Sequence, residues 1–125
     1  VKFWDADWQQ VVIDRITGLA QQGYKGVLLD VVDAYKISQV ISNYDGISGN
    51  IRLDMQRFIE KISAEAKAIN PEFQIIANGG IGLLNNFEPM FGAASPNTSY
   101  LEAIDGVNKE STWTIFDTPN PALQN

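Results

Sequence analysis

The 125 residues suffice for one domain with a core, and 45% hydrophobic against 19% charged residues describe a globular chain, not a disordered one. A formal net charge of -6, with nine scattered basic residues, excludes the clustered Lys and Arg of a nucleic-acid surface. The chain has neither Cys nor His, which excludes disulfides, thiolate or His-ligated metal sites, Cys nucleophiles and Ser-His-Asp catalysis, and leaves acid-base chemistry to Asp, Glu, Lys or Tyr.

In chain order, Val1-Phe3-Trp4 reads as a short strand ending at Asp5. A chain that opens on Val-Lys-Phe-Trp, without Met, reads as a processed chain or, in preference, a fragment of a longer protein. A helix is expected next, with Asp7 as N-cap, Gln10 as its capping-box partner, and Trp8, Val11, Val12, Ile16 and Leu19 at helical spacing up to Gly23. Gly26 to Leu29 is continuously apolar, as a strand buried on both faces of a parallel sheet would be. The segment from Val31 to Asn50 holds the turn signal Asn43-Tyr44-Asp45-Gly46. Leu53, Met55, Phe58, Ile59, Ile62, Ala66 and Ile69 form the stripe of a second helix, which Asn70-Pro71 ends. Phe73 to Ala77 is the next strand, stopping at Asn78-Gly79-Gly80. A short helix is expected around Tyr100 to Ala103, and a fourth strand from Ile104 running toward Glu110. Residues 117–125 read as an irregular tail. Strands alternating with helices predict parallel strands with right-handed crossovers, either a small open sheet or half of an eight-stranded (β/α)8 barrel. No apolar run approaches the roughly 20 residues of a membrane helix.

Each expected strand ends in a polar residue: Asp5, Asp30, Asn78 and Glu110. Ligands of parallel α/β folds bind beyond the carboxyl ends of the strands, so these four residues are expected around one rim. Each also has a plainer explanation. Asp5 can belong to a helix cap, Asp33 can cap a short helix through Tyr35 to Val40, and Asn78 can simply form a turn before two glycines. Asp30, Asp33 and Asp45 do not match an EF-hand loop, so no metal is expected. Gly79-Gly80-x-Gly82 lacks the P-loop Lys and the full dinucleotide fingerprint, so no cofactor is expected either. Two acids facing each other across a cleft are the simplest catalytic device left, as in glycoside hydrolysis. Asp30 and Glu110 lie on different strands, as such a pair would. Trp4, Tyr35, Tyr44 and Trp113 could stack on sugar rings; for Trp4, core packing is an equal alternative.

The blocks "VKFWDADWQQVV", "GYKGVLLDVVDAY", "IIANGGIGLL" and "IDGVNKES" occur in the order in which glycoside hydrolase family 114, the endo-α-1,4-polygalactosaminidase group, carries similar ones. The resemblance covers roughly residues 1 to 113 and is most specific at "GYKGVLLDVVDAY". It implies a (β/α)8 barrel, usually secreted, at the cell surface or periplasmic, that cleaves α-linked galactosamine polymers. It implies Asp30 and Glu110 as the catalytic carboxylates, with Asp33 and Tyr35 lining the site. Together with the strand-end reading, the substrate-binding set becomes Trp4, Asp5, Asp33, Tyr35, Asn78 and Trp113. Lys25 stands where the family often has Asp, and Ala77 where it usually has Gln. The family's first strands, one with a further strand-end Asp, and its last strands are absent, so flanking barrel segments are expected partners alongside the polysaccharide. The rival readings are a non-catalytic carbohydrate-binding relative and a small open α/β domain whose acids are only caps and turns.

Overall fold

The computed structural model describes residues 1–87 and 95–109, together with the backbone of 114–115 and 118–119. Helix α1 spans Ala6–Gln21. It starts there because Asp5 keeps an extended backbone while its carboxylate accepts the Trp8 amide at 3.0 Å, so Asp5, not Asp7, is the N-cap. Asp7 lies in the first turn, where its charge meets the positive end of the helix dipole. Gln10 reaches forward to Asp14 and makes no capping box. Beyond the last turn, Gly23 takes φ 93°, and the Tyr24 amide donates back to the Leu19 carbonyl, the glycine stop expected from the sequence.

The strand expected at Val1 to Trp4 does not form. The Asp5 amide donates to the Lys2 carbonyl, and Gln9 Nε2 donates to the Phe3 carbonyl at 2.9 Å. Backbone groups that a strand would pair with a neighbour are satisfied here by a turn and a side chain. The Phe3 ring is buried and anchors this segment in the core.

Three strands make one parallel sheet in the order β1 (Gly26–Leu29), β2 (Gln74–Asn78) and β3 (Gly106–Asn108). Between β1 and β2 lie a 3-10 turn, Val32–Lys36, a short helix α2, Ser38–Ser42, and the long helix α3, Ile51–Ile69. Asn50 caps α3 through a bond from the Leu53 amide, which sets its start two residues before the expected Leu53. Between β2 and β3 come a 3-10 turn, Ile81–Leu84, and helix α4, Thr98–Ala103, capped by Asn97. The result is a mixed α/β architecture.

Helix α3 packs against both α1 and α4, so the helices form one layer. Ile13, Ile16 and Ala20 of α1 and Phe58, Ile59, Ile62 and Ala66 of α3 meet Ile75 and Ala77 of β2 in the core. Each large apolar side chain buried there contributes roughly 1.5–3 kcal/mol. Alternation along the strands leaves Leu28, Ile76 and Gly106 in register on the other, more open face, where Leu28 is 56% exposed.

The fourth expected strand is β3, but it ends at Asn108 and not at Glu110. Glu110 and Trp113 lie outside the described residues. Within the expected irregular tail, Thr118–Pro119 (β5) pairs antiparallel with Thr114–Ile115 (β4). No helix among the described residues is long and apolar enough to cross a membrane.

Candidate functional site

The register of the sheet builds the site. Leu29 lies beside Ala77, so Asp30, one residue further, falls level with Asn78, and Asn78 is paired with Asn108. Three polar residues therefore form a row across the carboxyl ends of three adjacent parallel strands. Asn108 Nδ2 donates to Asn78 Oδ1 at 2.8 Å, and Asn78 Nδ2 donates to Asp30 Oδ1 at 3.0 Å. The Val31 amide donates to the same Asp30 oxygen at 2.9 Å. Asp30 Oδ2 has no partner among the described residues. Asn78, at 8% exposure, is the buried centre of the row.

The backbone around this row is unusual. Val31 sits at φ 57°, ψ 34°, a left-handed conformation that a β-branched side chain adopts at a cost of roughly 1–2 kcal/mol. It is the only non-glycine residue with positive φ among the described residues. Gly79 and Gly80 follow Asn78 at φ 84° and 65°, where glycine carries no such penalty. Strain of this kind persists where the surroundings over-determine it, and it collects at functional sites. The surroundings are visible here. Arg52 of α3 donates to the Gly82 and Asn85 carbonyls, and Gln56 Nε2 donates to the Leu83 and Asn85 carbonyls at 2.8 and 3.0 Å. These bonds pin the segment that follows the two glycines. The Gly79 amide itself donates to the Asn108 carbonyl at 2.7 Å.

A cleft of about 450 Å³ opens over this row, lined by Asp30, Val31, Asp33, Lys36, Asn78, the glycines 79, 80 and 82, Ile81 and Lys109. It offers two carboxylates, two ammonium groups and an amide. Asp33 stands in the first turn after Val31, with its carboxyl 3.8 Å from where a side chain on Gly79 would begin. Asp33 therefore lines the cleft and is not an N-cap.

The other expected site residues fall elsewhere. Tyr35 is 4% exposed and belongs to the core. Trp4 and Asp5 line a different cleft, which shares no residue with the one over Asp30. There Trp4 Nε1 donates to Asp45 Oδ1 at 2.7 Å, Lys2 Nζ pairs with Asp45 Oδ2 at 2.7 Å, and the Trp4 ring meets Phe3 and Tyr44 edge-on. The bonds from Lys2 and Trp4 hold the Asp45 carboxyl below its usual range. Among the described residues no cluster of Asp and Glu is assembled to hold a metal ion. Of the expected set, Asp30, Asp33 and Asn78 come together. Asn108, Arg52 and Gln56 were not expected at the site. Asn108 carried a signal, a polar residue two places before Glu110 at the same strand end. Arg52 and Gln56 carried none, because polar residues on a long helix ordinarily face water.

No family model matches the chain. An uncharacterized protein of Deinococcus radiodurans is 28% identical over 113 residues, covering 90% of this chain and 31% of its own length. An uncharacterized protein of Thermotoga maritima is 26% identical over 112 residues, covering 83% of this chain and 33% of its own length. The chain thus spans about a third of the length of the curated relatives it matches.

Proposed function

We propose that this chain is part of a (β/α)8-barrel glycoside hydrolase, endo-acting on α-linked galactosamine-type polysaccharide, with Asp30 and Glu110 as its carboxylate pair. The observation that carries this reading is the hydrogen-bonded row of Asp30, Asn78 and Asn108 across the carboxyl ends of the parallel strands. That is the end of a barrel on which catalytic groups stand. The resemblance of "GYKGVLLDVVDAY" and "IDGVNKES" to glycoside hydrolase family 114 supplies the substrate class and the secreted or cell-surface location. Successive parallel strands in chain order, with their helices in one layer, fit a run of barrel units. Relatives about three times as long leave room for the flanking strands.

Cleavage needs one carboxyl group to protonate the glycosidic oxygen and a second to act as base or nucleophile at the sugar carbon. Asp30 holds one oxygen on two N–H donors and keeps the other for a substrate. Glu110 follows Asn108 by two residues. In the intact protein, Asp30→Asn should lower the cleavage of a galactosamine polymer by roughly a thousandfold or more, as loss of a reacting group does. Reducing-end release is the measurement, and near-wild-type release would overturn the assignment. Polymer binding by the wild type without any cleavage would favour a carbohydrate-binding relative.

A further inference from the structure

We infer that Asn108 is a positioning residue that acts on Asp30 through Asn78, although Asn108 and Asp30 share no hydrogen bond. The catalytic part of this inference rests on the hydrolase reading, but the chain of bonds does not. An ionised carboxylate only accepts hydrogen bonds, so Asn78 must turn its NH2 group toward Asp30. Its carbonyl oxygen then faces Asn108, at 2.8 Å, and needs a donor there. Asn108 supplies it with its own NH2 group. The charge at one end of the row thereby favours one orientation of both amides. Asn108 also accepts the Gly79 amide with its backbone carbonyl at 2.7 Å. It holds Asn78 from the side-chain end and from the following peptide at once. Asn78 is almost fully buried, so a reversed amide would present its oxygen to the carboxylate at close range.

This logic separates direction from size. Asn108→Ala removes one donor and leaves the Asn78 amide free to keep its bond to Asp30. Asn108→Asp has the shape of the natural side chain but places an acceptor against the Asn78 carbonyl, and it keeps a bond to Asn78 only if that amide reverses. A residue that merely fills space would tolerate Asp better than Ala. Directional control predicts the opposite order.

The test uses the intact protein with Asn108→Ala, Asn108→Asp, Asp30→Asn and the double variant Asp30→Asn/Asn108→Asp. In polymer hydrolysis kcat should fall by about tenfold for Asn108→Ala and about a hundredfold for Asn108→Asp, the scale expected when a reacting group is slightly misplaced, with KM within about twofold. If the wild type cleaves no polymer, the hydrolase reading falls, and thermal stability still decides the chain of bonds. An amide at position 30 can present either end to Asn78, so Asn108→Asp should lower Tm markedly in the wild-type background and much less alongside Asp30→Asn. The difference should persist at about 1 M salt, where direct charge repulsion between the two ends is screened to a few ångströms. Asn108→Asp as mild as Asn108→Ala in Tm, or equal losses in both backgrounds, would overturn the inference.

Discussion

At the scale of single residues, the molecule places polar groups where composition gives no warning. Tyr100 is fully buried, and its hydroxyl has no hydrogen-bond partner among the described residues. Burial, aided by the charge of Glu60, pushes that hydroxyl up to about 12 from an ordinary value of 10.0. A group that holds its proton more tightly when folded stabilises the fold below the unfolded value and loses that contribution as pH rises through the folded one. Stability should therefore decline between about pH 10 and pH 12. Tyr100→Phe removes an unsatisfied hydroxyl without changing the ring, so it should leave stability at neutral pH equal or raised by about 1 kcal/mol. It should also flatten the alkaline decline. Urea unfolding at pH 7 and pH 11 measures both. Tyr44 is shifted upward too, so the comparison is the difference between wild type and variant. The left-handed Val31 belongs to the same scale: nothing in "LLDVVD" distinguishes it from an ordinary strand valine.

At the scale of elements, caps decide where helices begin. The sequence offers Asp5 and Asp7 as rival N-caps for α1, and both types of residue suit that position. The choice falls to Asp5 because the turn closed by the Lys2 carbonyl leaves Asp5 extended and its carboxylate beneath the Trp8 amide. Asp5→Ala should then cost about 1 kcal/mol of stability, whereas Asp7→Ala, which loses only a dipole contact, should cost about 0.3–1 kcal/mol. Chemical denaturation of the two variants checks the order, and a larger loss from Asp7→Ala would restore it as the cap. Helix α3 does more than cover the sheet. Its apolar stripe was legible from spacing, but Arg52, Gln56 and Ser63 also reach the Gly82, Leu83 and Ala103 carbonyls. Those bonds brace the connection between β2 and β3, and with it the turn next to Asn78.

At the scale of the whole molecule, an ion pair joins the layers. Lys67 of α3 meets Asp105 at 2.7 Å, and the same carboxylate oxygen accepts the Ile75 amide of β2 at 2.8 Å. Burial works to raise the Asp105 carboxyl, but the bonds from Lys67 and Ile75 outweigh it and hold the carboxyl below its ordinary value. A depressed carboxyl contributes stability above the unfolded value of 3.8 that is lost as pH falls through the folded one. The wild type should therefore lose stability below about pH 4, and Asp105→Asn should lower Tm at pH 7 while shrinking the acid-induced drop. An unchanged acid limb in the variant would remove Asp105 from that account. The alternation of helices and strands from α1 to β3, the stripes of α1 and α3, the glycine stop at Gly23 and the absence of His and Cys chemistry were all legible in the sequence, because each follows from spacing or composition. Asp30 and Asn78 were legible as strand-end candidates for the same reason, and Asp33 through the resemblance of its block. Only the tertiary structure decided that Val1 to Trp4 turns instead of pairing, that Trp4 serves Asp45 and Tyr35 the core, and that Asn108 joins Asp30 through Asn78. Those outcomes depend on sheet register and on contacts between residues dozens of positions apart, and local sequence has no term for either.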